Sequence, residues 1–445
     1  MTKEEILKII EENKIYLIRC LYVGFDGVTR GRVSGKDKLL SNIKDGIGVS
    51  QALQAWNCLD ELVTEGRYGN PIDEFRIMPD IETFTLLPYT QNSAVMMVDM
   101  FYEGEPWEVC ARSLLKNVVK QLDSMGYTSQ CALENEWYLL KMKEGELIPF
   151  DDELTYSAAG MNTADKIISE IVVDLQKIGL SVEQYHVEQG HAQQELVISH
   201  ADPLRAADNQ VILKETVKGV ARKNDLYASF MPKPFQDLGG NGGHLHLSLY
   251  DKEGKNVLYE ENDPYHLSPI GYHFIGGILA HIKGLMAITA STVNSYKRLI
   301  PGVWASAFVN FGLQNRESTV RICGDLPENY NFEYKPIDPC CNPYLAISAV
   351  LAAGMDGIQN QIDPGDRGID VDPLLIDPIE RENRGIFAYP DNLACALDDL
   401  SEDAFFKKAM GEVMVEEYVK VKRSEWNSFK QHVTDWEIKN YLTTF

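Results

Sequence analysis

The chain contains 445 residues and carries a formal net charge of −24 at pH 7. A chain of this length buries a sizeable core and is expected to fold as two to three domains. Its negative charge repels phosphate backbones and argues against a nucleic-acid partner. No apolar run is long enough to cross a bilayer, no signal peptide is recognisable, and the eight scattered cysteines match neither a disulfide framework nor a zinc-binding spacing. We therefore expect a cytoplasmic protein with no membrane partner.

The first hundred residues are predicted to form a β-rich unit. Residues 3–12 have the pattern of a short amphipathic helix, and residues 15–34 alternate and break at glycine-containing turns, as a β-hairpin does. Short strands and loops follow to about residue 105. A domain boundary is predicted between Gly104 and Trp107, before a helical stretch at 108–126.

The rest of the chain is predicted to alternate strands with helices. Residues 207–225 have the pattern of an amphipathic helix, and a strand is expected at 228–234. Residues 269–295 and 343–361 are rich in helix, and residues 402–433 are helical with charges of alternating sign. The predicted fold class is α+β, with a small N-terminal β-rich domain and a larger mixed catalytic domain.

Glu134 and Glu136 lie one residue apart in the apolar segment CALENEWYLL. The segment is typical of a strand, on which residues two apart point to the same face. Two carboxylates on one face of a buried strand repel each other and lose hydration, so a divalent cation such as Mg²⁺ or Mn²⁺ is their simplest partner. For an isolated pair of this kind, a solvated strand edge would be the alternative.

Further candidate ligands follow on short strand-like segments. They are Glu183, Glu188 and Glu195 in VEQYHVEQGHAQQELVI, His244 and His246 in GGNGGHLHLSL, and Glu333 in NFEYKPIDPCCNPYLA. Five or six carboxylates with an imidazole are enough for a site of two or three divalent cations. Sites of this kind hold the phosphates of ATP.

The chain resembles the glutamine synthetase superfamily over essentially its full length. The resemblance rests on five ordered blocks and a similar C-terminal segment: ENE at 134–136, HVEQGHAQQE at 186–195, SFMPKPF with the glycine-rich GHLH, NSYKRLIPG at 294–302, QNRESTVR with NPYLA, and HVTDWEIKNYL. It implies a β-grasp-like N-terminal domain over residues 1–106 and a catalytic domain over residues 107–445 with a curved antiparallel sheet and helices. It also implies a homo-oligomer, commonly a dodecamer of two hexameric rings, with active sites between subunits.

The resemblance also implies which residues bind the metals. One metal would be held by Glu136, Glu188 and Glu195. The other would be held by Glu134, His244 and Glu333. Two to three Mg²⁺ or Mn²⁺ ions per site are therefore expected, with ATP as co-substrate.

The remaining site residues are carried over in the same way. Arg316 and Arg321 match the pair that contacts the ATP phosphates, and Arg298 matches the arginine that binds the amino-acid substrate. Glu183, His246 and Ser248 match nucleotide contacts. Gly240 and Asn241 lie in a glycine-rich segment that departs from the usual Gly-Ser-Gly-Met-His, and they are expected to shape the substrate loop. The expected catalytic residues are Arg298, Arg316 and Glu333.

The implied reaction has two steps. ATP phosphorylates the γ-carboxylate of L-glutamate to give an acyl phosphate, and a small amine then attacks the activated carbonyl. No residue need act as a covalent nucleophile, so positioning and charge neutralisation account for catalysis.

Three departures from the family pattern lie on the amine and amino-acid side of the site. Trp304 stands where ammonia-using members have a glutamate that holds ammonium, and a neutral indole cannot act as a base, although it can form an apolar or cation–π wall. Residues around Gly48–Ser50 contain no aspartate, whereas the family has one in the matching segment. Lys335 replaces an arginine that contacts substrate and keeps the charge without the bidentate fork.

These departures favour a glutamate–amine ligase that makes a γ-glutamylamide from an organic amine. One alternative is an ordinary ammonia-using glutamine synthetase. A second is a ligase acting on another acid, as Lys335 would allow. A third is a non-catalytic structural relative, which would be expected to have lost metal ligands, yet all six are present.

Overall fold

The computed structural model describes residues 1–445, and its first hundred residues are rich in strands. The elements there are α1 Lys3–Glu12, β1 Leu17–Val23, β2 Thr29–Gly35, α2 Leu39–Asp45, β3 Ile47–Ser50, β4 Glu74–Pro79, β5 Thr85–Leu86, β6 Ser93–Tyr102 and β7 Glu105–Pro106. The predicted helix at 3–12 is confirmed, because Thr2 and Glu5 form a capping box at its start and Ile6 and Ile10 are buried. The predicted hairpin is confirmed as the antiparallel pair β1 and β2.

The remainder of the chain alternates strands and helices and then ends in helices. The strands are β8 Thr128–Leu133, β9 Asn135–Lys143, β10 Glu146–Pro149, β11 Val182–Val187, β12 Gln193–Ile198, β13 Tyr227–Ser229, β14 Leu245–Tyr250, β15 Phe311–Leu313, β16 Val320–Cys323 and β17 Asn331–Tyr334. The helices are α3 Ala111–Ser124, α4 Ala158–Lys177, α5 Pro203–Lys223, α6 Pro269–Ala280, α7 Ile282–Thr289, α8 Pro343–Asn360, α9 Pro378–Asn383, α10 Leu393–Glu402, α11 Ala404–Met410, α12 Glu412–Gln431 and α13 Asp435–Tyr441. None of the helices has both the length and the apolar character that crossing a bilayer requires.

Some predicted elements differ from the observed ones in extent. The strand expected at 228–234 stops at Ser229, because Pro232 and Pro234 have no N–H to give to a ladder. The helical stretch expected at 402–433 is divided into α11 and α12 at Gly411, whose φ is 98°. The stretch expected at 269–295 ends its regular α-helix at Thr289.

Three sheets organise the molecule. The N-terminal sheet has seven strands in the order β2-β1-β6-β4-β3, with β5 and β7 also paired to β6. A second sheet has the order β10-β9-β12-β11 with β13 on β9, and a third has the order β15-β16-β17-β14-β8. These two sheets are antiparallel except for the parallel pair β15 and β16. The predicted α+β class is therefore confirmed.

Glu134 is the single residue between β8 and β9, so CALENEWYLL is not one strand as predicted. At this residue the chain passes from the third sheet to the second. The Glu134 N–H donates to the His244 carbonyl at 2.9 Å, and the Glu136 N–H donates to the Gly242 carbonyl at 3.1 Å. Because both bonds go to the segment that precedes β14, the two glutamates keep the common orientation that the strand model predicted.

One large core and one buried ionic cluster join the N-terminal sheet to the rest of the chain. The core includes Tyr22 and Phe75 of the N-terminal sheet together with α8. In the ionic cluster, Arg112 of α3 is bonded to Asp208 of α5 through Nε at 3.0 Å and Nη2 at 2.9 Å, and its Nη1 donates to Asp80 at 2.8 Å. The cluster therefore fixes α3 and α5 against Asp80, which directly follows β4, and against Asp99 of β6.

Candidate active site

A cavity of about 780 Å³ opens between the second and third sheets, and polar groups dominate its wall. Only six of its 25 lining residues are hydrophobic, which suits a charged ligand better than an apolar one. The predicted site residues that line it are Glu134, Glu136, Glu188, Glu195, Gly240, His244, Arg298, Trp304, Arg316, Arg321 and Lys335. Positions scattered over two hundred residues of sequence thus meet at one place.

Cross-strand pairing brings the carboxylates of the second sheet together. Glu195 on β12 is the register partner of Glu136 on β9 and of His186 on β11. Directly opposed residues on antiparallel strands have Cβ atoms about 5 Å apart. His186 Nε2 lies 2.8 Å from Glu188 Oε1 and 3.5 Å from Glu195 Oε1. Ligand atoms of these three residues therefore form one compact group.

A second group forms where the third sheet meets the crossing at Glu134. His244 Nδ1 lies 3.2 Å from Glu134 Oε2, 3.3 Å from Glu333 Oε1 and 3.9 Å from Glu136 Oε1. His246 Nε2 lies 3.6 Å from Glu134 Oε2 and has no hydrogen-bond partner although it is buried. The predicted set of Glu134, His244 and Glu333 is thus brought together, and His246 adds a further imidazole to it.

Crowding of buried carboxylates raises the pKa values of Glu136 and Glu195. Burial, with the charge of Glu188, raises the pKa of Glu136 to about 8. Burial, with the charges of Glu134 and Glu136, raises the pKa of Glu195 to about 12. A cation placed among these groups would remove the repulsion that disfavours their ionised forms.

In the group that contains Glu134 and Glu333, the neighbouring histidines and Lys335 lower the pKa values of the carboxyl groups instead of raising them. Burial works to raise the pKa of Glu134, but the neighbouring imidazoles of His244 and His246 hold it well below its usual value. Burial likewise opposes ionisation of Glu333, yet Lys335 and His244 lower its pKa. The two groups of acids thus differ in their charge partners, which matches two cation positions better than one.

The residues present fit divalent cations. Carboxylate oxygens and imidazole nitrogens suit Mg²⁺ or Mn²⁺. Three such ligand atoms lie within 4.8 Å of one another in His186, Glu188 and Glu195, and again in Glu134, His246 and Glu333. The unpartnered Nε2 of His246 next to Glu134 is the kind of buried polar atom that a bound ion would satisfy.

Basic side chains form the opposite part of the wall. Arg298 is almost fully buried, donates through Nη2 to the carbonyls of Lys335 and Ile337, and has no hydrogen-bond partner at Nε. Arg321 donates through Nη1 to Glu333 Oε2 at 2.9 Å, and Lys335 Nζ lies 3.2 Å from Glu333 Oε1. Glu333 is therefore held between two cationic side chains behind the cavity wall.

Glycines in the segment before β14 are required by close packing. A Cβ on Gly240 would come within 2.5 Å of Arg298 Cγ, and a Cβ on Gly242 within 2.4 Å of His244 Nε2. Larger residues would displace the two side chains that the cavity presents at this point. Glycine at positions 240 and 242 is thus required to place Arg298 and His244.

Some predicted site residues lie outside the cavity wall. Asn241 is fully buried and bonds the carbonyls of Ser229 and Met231, so it supports the loop from behind. Glu183 is exposed on β11, and Gln184 is the residue of that strand that lines the cavity beside His186. Ser248 is buried on β14 and donates to the hydroxyl of Tyr250. Their predicted contacts with nucleotide or substrate stay predictions.

Sequence reasoning missed several residues that line the cavity. His186 lies two positions before Glu188 on β11, so the spacing rule used for Glu134 and Glu136 would have found it. Tyr156 stacks on His186 with ring centroids 4.8 Å apart, and its hydroxyl donates to Glu188 at 3.3 Å. Tyr156 belongs to the loop before α4, and no local pattern marks it.

Comparison with known proteins agrees with this arrangement. Family models for the glutamine synthetase N-terminal domain and the glutamine synthetase catalytic domain match residues 2–107 and 108–441. The chain is 35% identical to the glutamine synthetase of Halobacterium salinarum over 404 residues, covering 87% of this chain and 89% of that protein. It is 33% identical to the glutamine synthetase of Thermotoga maritima over 449 residues, covering 99% of this chain and 100% of that protein.

Solved structures show the same similarity in three dimensions. A structure described as "Apo GmaS without ligand" superposes with a TM-score of 0.86 at 30% identity, covering 98% of this chain and 99% of that one. Another, described as "Crystal structure of novel glutamine synthase homolog", superposes with a TM-score of 0.84 at 30% identity, covering 97% and 99%. The family uses ATP and a divalent metal ion. The chain therefore belongs to the glutamine synthetase family and is an ATP-dependent carbon–nitrogen ligase.

Proposed function

We propose that this ligase joins the γ-carboxylate of L-glutamate to an organic primary amine by way of γ-glutamyl phosphate. The single observation that carries the proposal is Trp304, whose indole lines the cavity at the position where the family resemblance implies a glutamate in ammonia-using members. The carboxylates and arginines of the phosphoryl-transfer region are all retained. The residues around the acceptor have changed, whereas those of the phosphoryl-transfer region have not. This combination favours an enzyme with a different nucleophile over one that has lost its activity.

The phosphoryl-transfer end is proposed to work by charge neutralisation. The residues that would hold the cations are Glu136, Glu188 and Glu195 in one set and Glu134, His244 and Glu333 in the other. When bound, the cations supply positive charge to the phosphoryl group in transfer. Arg316 and Arg321 line the same cavity and add planar guanidinium groups, which suit phosphate oxygens.

The amino-acid end is proposed to bind glutamate through Arg298, with Lys335 nearby. Arg298 is held rigidly by two backbone carbonyls, and its Nε has no partner within the chain. A guanidinium that is fixed in the cavity wall is well placed to bind a carboxylate. Lys335 is engaged with Glu333, so its charge supports the carboxylate cluster as well as the substrate.

The acceptor end is proposed to be apolar in part. Ile300, Val303 and Trp304 are exposed and line the cavity next to the charged groups. Such a rim can cover the carbon skeleton of an alkyl or aryl amine, and an indole face attracts an ammonium group. The structural neighbour GmaS is a γ-glutamylmethylamide synthetase, which supports an amine other than ammonia.

An ammonia-using glutamine synthetase is the second candidate, because curated relatives at 35% and 33% identity carry that name. It would need a group other than residue 304 to take the proton from ammonium. The Tyr156 hydroxyl, which donates to Glu188 at 3.3 Å, is one polar group of the cavity that could be tested for this role.

Phosphate release from ATP decides between the two candidates. The assay uses L-glutamate and Mg²⁺ with ammonium or with a panel of primary alkyl-, hydroxyalkyl- and arylamines. We expect turnover with at least one organic amine to exceed turnover with ammonium. Turnover with ammonium alone would refute the proposal. Replacing glutamate with other carboxylic acids in the same assay tests the alternative raised by Lys335.

The substitution Trp304→Glu tests the role of the indole directly. We expect it to shift the ratio of kcat/KM values toward ammonium, because it restores a carboxylate at the acceptor end. Trp436→Glu is a matched control, since Trp436 is also exposed but lies on α13 outside the cavity. An equal effect of both substitutions would contradict the assignment of Trp304.

The metal assignment has a readout besides activity. We expect Glu188→Gln to abolish turnover and to reduce the rise in Tm that Mn²⁺ produces in the wild type, because a neutral amide is a weaker ligand. Glu144→Gln is the control, since Glu144 is exposed in the turn between β9 and β10. A normal Mn²⁺-induced rise in Glu188→Gln would show that the cations bind elsewhere.

The assembly and location are also proposals. We propose a domain division at residues 106 and 107 and a dodecamer of two hexameric rings, whose sites form between subunits. Light scattering tests the assembly, and a fully active monomer would contradict shared sites. A cytoplasmic location is supported by the eight cysteines, all of which are unpaired.

A further inference from the structure

The loop that carries Trp304 has an unusual backbone. Gly302, Trp304 and Ser306 all adopt left-handed conformations, with φ values of 77°, 59° and 60°. A left-handed backbone is free for glycine but unfavourable for tryptophan and serine. Two such residues within three positions persist only when other contacts hold them. The contacts of this loop therefore determine where the indole lies.

A buried carboxylate holds the middle of this loop. The backbone N–H of Trp304 donates to Glu317 Oε1 at 2.6 Å. Glu317 itself is only 6% exposed, whereas the Trp304 side chain is 66% exposed. The indole is thus held through its backbone and not through packing of its ring.

The far end of the loop is anchored separately. The hydroxyl of Tyr389 lies 2.6 Å from Ser306 Oγ and 2.7 Å from Thr319 Oγ1. These contacts fix Ser306 whether or not Glu317 is present. Loss of the Glu317 carboxylate would therefore release Trp304 while leaving the end of the loop in place.

Burial alone would favour the neutral form of the Glu317 carboxyl group. Burial raises the pKa of its carboxyl group and the nearby charge of Asp372 adds to this, while the Trp304 N–H and Lys335 oppose the rise. A carboxylate buried without a full ion pair is costly, and the hydrogen bond from the Trp304 N–H helps to offset that cost. The arrangement is therefore a specific one that shapes the loop.

We propose that Glu317 is a positioning residue for the acceptor amine, because its carboxylate holds the left-handed turn that presents the Trp304 indole to the cavity. The inference rests on the proposed function, in which Trp304 contacts the amine. Glu317 does not line the cavity and so acts through Trp304. It predicts that substitutions of Glu317 change amine recognition without changing the binding of ATP or glutamate.

The test compares Glu317→Ala and Glu317→Gln with the wild type, after the amine panel has identified the wild-type acceptor. Loss of a hydrogen bond to a charged acceptor is expected to raise KM for that acceptor about tenfold or more in Glu317→Ala. The KM values for ATP and glutamate are expected to stay within about twofold. Glu317→Gln keeps an acceptor oxygen and is expected to show a smaller rise.

Hydrogen exchange gives a readout that does not depend on activity. We expect the amides of residues 303–306 to exchange about tenfold faster or more in Glu317→Ala than in the wild type. Asp372→Asn is the matched control, because Asp372 is the neighbouring carboxylate but caps residues 373–375 instead of bonding Trp304. In this control, both the exchange and the acceptor KM are expected to be unchanged.

Three outcomes would overturn the inference: an unchanged acceptor KM in Glu317→Ala, a parallel rise of all three KM values, or unchanged exchange at residues 303–306. If Glu317→Ala does not fold, Glu317→Gln decides by the same measures. A wild type that uses only ammonium would refute the proposed organic amine. The role of Glu317 would then still be judged, from exchange and from the KM for ammonium.

Discussion

Replacing Arg112 with methionine removes the guanidinium that joins α3 to α5 and to the N-terminal sheet. Asp80 and Asp99 would keep Lys116 as a partner. Asp208 is only 4% exposed and would keep just the hydroxyl of Tyr344. Removing one member of a buried ion pair costs about 3–5 kcal/mol, because the remaining charge stays buried without compensation.

The corresponding change in Tm follows from the size of the chain. The entropy of unfolding is about 2 cal/mol/K per residue, which gives about 0.9 kcal/mol/K for a chain of this length. The loss therefore corresponds to a fall in Tm of about 3–6 °C if the chain unfolds cooperatively. Thermal unfolding followed by circular dichroism measures it.

Two further variants make the test specific. Arg423→Met is the control, because its ion pair with Asp398 is largely exposed and is worth less than about 1 kcal/mol. Asp208→Asn combined with Arg112→Met should recover part of the lost stability, since the stranded charge is removed. A Tm of Arg112→Met within about 1 °C of the wild type, or a double variant no more stable than Arg112→Met, would refute the reasoning.

Two other predictions concern pH and close packing. Burial works to lower the pKa of His281, but hydrogen bonds to Asp403 and Asp356 raise it. The charged imidazole therefore stabilises the fold fully below about pH 6.5, and this contribution is lost as pH rises through the higher folded pKa. His281→Asn should accordingly lower Tm more at pH 6 than at pH 9, and an equal loss at both values would contradict the ion-pair interpretation. Gly240→Ala should raise the KM for glutamate about tenfold or more, because its Cβ would displace Arg298, and a wild-type KM would show that Arg298 does not bind glutamate.

Much of the site was predictable because it depends on spacing along strands. Glu134 and Glu136 were placed together correctly from a two-residue period, even though the segment is divided between two sheets. The division was not predictable, since it depends on hydrogen bonds to His244 and Gly242 more than a hundred residues away. The local sequence pattern thus predicted that the two side chains lie together, but it did not predict that the chain passes from one sheet to another between them.

Other features lay beyond local pattern for the same reason. Asn241 resembles a substrate-loop residue in sequence, yet three backbone and side-chain partners hold it behind the wall. Glu317 sits beside Arg316 in a motif associated with phosphate, and only the folded loop shows that its carboxylate bonds Trp304. Tertiary contacts, which the sequence order does not reveal, decide the role of both residues.

The one-residue crossing at Glu134 has a consequence for how this chain tolerates insertions. A single residue added between β8 and β9 would break the two-residue spacing that turns Glu134 and Glu136 the same way, because side chains on a strand alternate. The ligands of one cation would then separate from those of the other. The turn at Glu144 and Gly145, at the far end of the same strand β9, is exposed and can lengthen without moving either glutamate. Insertions are thus expected to be tolerated after β9, at the turn of Glu144 and Gly145, but not before it, at Glu134.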